Sequence, residues 1–388
     1  MLAERLKRVR QARGLSLEEL SDATNRAVTK QAISKYEKGL DIPSARVLIA
    51  LSRALGVRNS TLVSPPKLRI ETLFYRTKSG LPKREQERLE SYLAFKLEQS
   101  LYVRQLIQPD GQFDLPVRKM PVKRAEEVEV HANEIRRQWG IGLDPIRNVV
   151  DLLEEKGIAV CSTEADSKFD GLSAVARSPK GKALGAAVLC RSGLTRERQR
   201  LNLAHELAHL VLKPESQTLE ESAAWRFAGA FLAPESTLRD DVGRLRKVIS
   251  LDEMLILKRR YGMSIQALLM RFKALGIFST ESHRQAFIQL TRLGFRQHEP
   301  EDTPSSETPR WFRGAVLRAV SEGLMTSFQA TEMLGEKIDA PAGRVSLVRL
   351  IASLPVKDRQ PILDAAGSAA IEKDYDHEWV DLDEDYDN

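Results

Sequence analysis

The sequence predicts a mainly α-helical chain that carries one small α+β domain, and three observations predict it. Apolar residues recur at helical spacing at both ends, from Leu2, Leu6 and Val9 to the stretch Trp311–Ser321. Short strand-like runs of apolar residues cluster between Ile158 and Cys190. Ser, Thr and Gly stand where the helices should start and stop. A small sheet followed by helices makes an α+β core.

Bulk properties set limits. The 388 residues, 42% hydrophobic and 29% charged, suit two or three globular domains. Met1 to Arg13 alternates apolar and basic groups without a secretory core, and no run approaches the length of a bilayer span. A cytoplasmic chain without membrane contact is expected. Cys161 and Cys190 are too few for a disulfide framework and read as buried free thiols in a reducing compartment. The net charge of +6 hides an asymmetry: residues 1–70 hold 14 Lys/Arg against 6 Asp/Glu, and residues 372–388 hold nine acids against one lysine. A basic head suits a polyanion; an acidic, aromatic-bearing tail suits docking on a basic partner.

In chain order, Leu2, Leu6 and Val9 mark a first helix that Gly14 ends, and Ser16 with Glu19 forms a capping box for a second. Thr29 can cap a third helix, Lys30 to Lys38, stopped by Gly39. Ala32, Ile33 and Tyr36 then face inward, and Thr29, Lys30, Gln31, Ser34 and Lys35 project outward. Such side chains suit base edges and phosphates in a major groove. Ser44 to Leu55 closes the bundle. The string from Thr29 to Gly39 (TKQAISKYEKG) resembles the Cro/XRE repressor family over residues 2–64. The resemblance implies that those five residues contact double-stranded operator DNA and that two copies read a palindrome as a homodimer. Leu17 stands where that family often places a phosphate-bracing glutamine.

Seams at Ser64-Pro65-Pro66, Pro109 to Pro121 and Glu299 to Ser306 divide the chain. The expected organisation is a helix-turn-helix bundle at 1–64, a helical linker region at 65–121, and an α+β domain at 122–300. A helical C-terminal region at 301–371 and an acidic tail at 372–388 complete it. Helices are expected over Arg124–Trp139, Ile146–Lys156, Arg196–Leu212, Leu219–Leu232, Leu251–Tyr261 and Ser264–Leu275. Strands are expected over Ile158–Ser162, Leu172–Arg177 and Lys182–Cys190. Trp311–Ser321 and Ser327–Leu334 look like a second, degenerate helix-turn-helix without an outward basic face, better suited to protein contact than to DNA.

The strongest chemistry is the run His205-Glu206-Leu207-Ala208-His209. Four residues apart on a helix, the two imidazoles share one face and can share one tetrahedral Zn²⁺. Glu206, beside the first histidine, lies where it can orient a water and take its proton. The surrounding leucines would bury the helix, and buried histidines beside a glutamate are costly without a partner. A third ligand must come from elsewhere; Glu220 and Glu221 on the next helix both offer a carboxylate, and spacing does not choose between them. No Tyr or His stands out to stabilise an oxyanion; Tyr261 reads as core.

That histidine run, followed by Glu221, Ala224, Phe227-Ala228 and Leu232-Ala233-Pro234, resembles the ImmA/IrrE family of zinc peptidases. Phe169-Asp170-Gly171-Leu172-Ser173 and Met263-Ser264-Ile265-Gln266 extend the likeness over about residues 124–300. It departs at Trp225, where Asn or Asp is usual, and at Cys190-Arg191. The resemblance implies a zincin-like domain with His205, His209 and Glu221 as zinc ligands and Glu206 as catalytic base. The Lys182–Cys190 strand is expected to align an extended peptide. The partner so implied is a protein substrate or a cognate toxin, in a stress response or an autoregulated toxin–antitoxin pair. The rival expectation is an antitoxin scaffold whose zinc domain is structural.

Overall fold

The computed structural model describes residues 2–63, 69–77, 81–303, 305–339 and 361, with the backbone alone for 72–77. The proline pair Pro65-Pro66 and the acidic tail from Glu372 lie outside the described residues.

Five helices form the first bundle: α1 Leu2–Ala12, α2 Leu17–Ala23, α3 Lys30–Glu37, α4 Ala45–Leu55 and α5 Asn59–Val63. The capping box at α2 is present, with Glu19 N–H donating to Ser16 Oγ and Ser16 N–H to Glu19 Oε2. Thr29 and Ser44 cap α3 and α4. Leu6, Val9, Leu20, Ile33, Leu51 and Leu55 close one core.

The region expected as a helical linker, 65–121, opens with a strand, β1, Arg69–Thr77. Its isoleucine, threonines and aromatics favour extended backbone, and a nine-residue run lacks the length in which helical periodicity shows. Then comes α6, Lys83–Ile107, 25 residues and about 37 Å long. Leu89, Leu93 and Leu97 pack on the sheet, Phe95 on the first bundle, and Val103 on the C-terminal helices. Apolar residues therefore appear on several of its faces, as on a helix buried between neighbours.

The short β2, Met120–Val122, leads through a 3₁₀ turn to α7, Val128–Trp139, and α8, Val149–Glu155. Next come β3 Ile158–Thr163, β4 Phe169–Arg177 and β5 Ala183–Arg191. The four-stranded sheet has the order β1-β4-β5-β3, with only β3 and β5 parallel. Ala186, Val188 and Cys190 of β5 enter one core, and Ala187 and Leu189 enter the other. Both faces are covered, so the strand reads as an unbroken apolar run.

α9, Arg196–Val211, is followed by β6, Leu212–Pro214, which pairs in parallel with β2. α10 Gln217–Leu232, α11 Glu235–Val242, α12 Leu251–Tyr261, α13 Ile265–Ala274 and α14 Thr280–Arg292 complete the domain. The expected degenerate pair is present as α15 Trp311–Ser321 and α16 Ser327–Leu334, and α15 packs on α6. Cys161 and Cys190 are free thiols on neighbouring strands, and burial pushes Cys190 up to about 12.

Glu299 to Ser306, whose composition reads as a linker, instead begins a clamped strap. Glu299 accepts the N–H groups of Ile265 and Gln266 at the start of α13 and receives the buried Lys258 ammonium. Glu307 accepts those of Val149 and Val150 at the start of α8 and pairs with buried Arg200 at 2.6 Å. From α8, Glu154 accepts the N–H groups of Arg310 and Trp311, where α15 begins. Each glutamate meets the orphan donors and positive end of a helix distant in sequence.

Candidate metal centre

α9 begins at Thr195, whose Oγ1 accepts the Arg198 N–H at 3.4 Å. From Asn202 to Val211 every residue is buried, so the helix runs through the core between the sheet and α10. Ala224 and Ala228 let α10 approach closely, and the stacked rings of Phe227 and Phe231 fill the space beside them.

This packing brings His205, His209 and Glu221 together. The two Nε2 atoms are 2.9 Å apart, and Glu221 Oε1 lies 3.8 Å from the first and 3.7 Å from the second. Zinc bonds of about 2.1 Å in a tetrahedron place ligand atoms about 3.4 Å apart. The three observed edges bracket that spacing, so the donor set fits one such ion. Among the described residues no other group of three His, Cys or acidic side chains could hold a metal.

Arg118 sets the two carboxylates of α10 apart. Held by its N–H to the Leu210 carbonyl and in the left-handed region (φ 52°), it donates from Nη1 to Glu220 Oε1 at 2.5 Å. Glu220 thus turns to the Nδ1 side of His209, 3.8 Å away, and Glu221 keeps the Nε2 side. His205 and then His209 hold the Glu221 carboxyl well below the usual range; His209, with help from Arg118, brings Glu220 to about 2. Burial pushes His209 down, but the two carboxylates outweigh it and the net shift is upward. A field that favours positive charge at this imidazole favours metal and proton alike.

Glu206 is buried against β4, so close that a Cβ added to Gly171 would collide with Glu206 Oε1. Asn202 Nδ2 donates to the Asp170 carbonyl at 3.3 Å, and Arg198 pairs with the Asp170 carboxylate at 3.2 Å. These contacts pin the start of β4 to α9. Trp225 packs its ring on His205, with centroids 4.2 Å apart, and the Arg198 guanidinium lies 5.9 Å from the centre of the indole. Gly171 and Asp170 stand among the residues that carry the family resemblance, but the sequence alone assigns them no role. Arg118 and Asn202 carry no positional signal that would single them out, and Glu220 is visible only as an alternative to Glu221.

Two expectations are corrected. β5 cannot align a peptide, because β4 and β3 occupy both of its edges. Tyr261 is core, as expected, but not idle: it is fully buried, and its hydroxyl donates to Asp241 Oδ2 at 2.6 Å. The linker expected at Glu299 to Ser306 is the second correction, since its glutamate is held inside the domain.

In the first bundle, Thr29, Lys30, Gln31 and Lys35 are exposed and Ser34 is half-buried. Thr29 also caps α3, and Lys30 lies 2.7 Å from Glu18. The bundle docks through α1: Arg5 and Arg8 both pair with Glu98 of α6, and Gln11 donates to Glu87. The outward side of α3 is not part of that contact.

Residues 6–58 match the family model described as Helix-turn-helix, and residues 153–273 match that of the IrrE N-terminal-like domain. No curated protein matches the chain. The second match contains β3, β4, β5, α9 and α10, whereas β1, α6 and the two last helices lie outside both. With the histidine pair and its glutamate inside one match and the Thr29-capped helix α3 inside the other, the chain joins a Cro/XRE-type helix-turn-helix to an ImmA/IrrE-like domain.

Proposed function

We propose that the chain is a DNA-binding regulator whose second domain is a single-zinc peptidase acting on an extended stretch of protein. His205, His209 and Glu221 would hold the ion, which when bound supplies a Lewis acid for a peptide carbonyl. Glu206 then takes the proton from the attacking water and passes it to the departing amine. Thr29, Lys30, Gln31, Ser34 and Lys35 would meet operator DNA, one head from each copy of a homodimer. The resemblance suits a stress response or an autoregulated toxin–antitoxin operon.

The observation that carries the peptidase reading is Glu206. A purely structural zinc site is closed by four protein ligands, whereas a catalytic one keeps an open position. Here three side chains converge, and a fourth, non-ligand carboxylate is seated beside them against a glycine. Metal analysis of the purified chain should find about one zinc per chain, lost in His205→Ala. Glu206→Gln should keep the zinc and lose hydrolysis of an added unfolded polypeptide. A Glu206→Gln chain as active as the parent would leave the scaffold reading standing.

A further inference from the structure

The sheet has one edge beside Glu206, and the chain itself covers it. β5 is enclosed on both sides, and β3 holds the far edge. The edge near the candidate centre is that of β4, whose Gly171 backbone touches the Glu206 carboxylate. A peptide extended along this edge would gain main-chain hydrogen bonds and pass directly beside Glu206. β1 lies there, antiparallel, from Arg69 opposite Arg177 to Thr77 opposite Phe169.

The register is specific. Arg76 faces Gly171, so their Cα atoms are about 5 Å apart. The next step, Arg76 to Thr77, passes over Asp170, an irregularity in the ladder beside Glu206. β1 is also not part of the matched domain: residues 153–273 contain the other three strands, and β1 comes from the stretch just after the helix-turn-helix.

We propose that β1 occupies the substrate strand of this peptidase and that the chain cleaves itself there, at or next to the Arg76–Thr77 bond. This rests on the peptidase reading above. Water adds across the amide: the Arg76 carbonyl carbon leaves as a carboxylate, and the Thr77 nitrogen leaves as a free amine carrying the proton that Glu206 relays. No oxidant or second substrate is required. The cut separates residues 1–76, which contain the DNA-binding head, from the rest of the chain. The class of substrate is therefore an extended segment of β-branched and aromatic residues, presented in cis.

Full-length zinc-loaded protein and Glu206→Gln are incubated, and intact mass and fragment ends are followed at several protein concentrations. The expected result is an N-terminal fragment ending close to Arg76, absent from Glu206→Gln, formed at a first-order rate independent of concentration. A zinc-loaded chain that stays whole while hydrolysing an added unfolded polypeptide overturns self-cleavage and leaves the peptidase reading intact. If the whole chain is inert but Tyr75→Pro, which weakens the β1 ladder, hydrolyses the added polypeptide, β1 is an inhibitory plug and self-cleavage is again overturned. If zinc is bound and none of these chains cuts anything, both readings fall together.

Discussion

Gly171 sits in strand backbone without a positive φ, so conformation does not explain the glycine; space does. The smallest side chain would press on Glu206 and move it, since the three atoms nearest to an added Cβ all belong to that side chain. Gly171→Ala should therefore retain zinc and lose hydrolysis about 10²-fold or more, the scale on which a displaced catalytic group is felt; metal content and initial rate on one preparation check it. At this scale the sequence was legible where chemistry is local. His205 and His209 share a face because of helical spacing alone, and Glu206 follows from adjacency. What sets Glu220 apart from Glu221 was not legible, because Arg118, which pairs with Glu220, stands 102 positions earlier. No local pattern announces a contact of that range.

Most of the helices were legible from periodicity and caps to within a few residues at each end, but α5, α11 and α14 were not expected. α6 was readable as a helix, but its role was not, since its apolar residues serve three cores and make no single stripe. β1 escaped for a related reason: a lone strand is defined by its neighbour, and β4 lies about a hundred residues away. The acid-rich strap from Glu299 to Glu307 was misleading. Glutamate and proline next to serine and threonine usually signal solvent, yet here the carboxylates are drawn inside by helix N-termini and by Lys258 and Arg200. Glu307→Ala leaves the Arg200 guanidinium buried without its carboxylate and should cost about 3–5 kcal/mol. A shift of the urea midpoint at unchanged slope would register it.

Across the molecule, the basic head stands out from its charge balance alone, and the exposed residues of α3 carry that charge outward. Gln31→Ala should cost about 1–3 kcal/mol at one base position, and Lys35→Ala should weaken all sequences alike and lower the salt slope by about 1. Operator titrations at several salt concentrations distinguish the two. What composition suggested as separate domains on linkers is tied together more closely. The head is ion-paired to α6 through Glu98, and its Arg58 reaches Glu332 of α16 at 2.6 Å. α6 has a further consequence, one of cooperativity. Two bodies on a tether should melt in two steps, each at its own temperature. With Phe95 in the first core, Leu93 in the second and Val103 in the third, none of these three cores can open without loosening the helix that the other two need. Calorimetry should record a single heat-absorption peak for head and body together, with calorimetric and van't Hoff enthalpies in agreement.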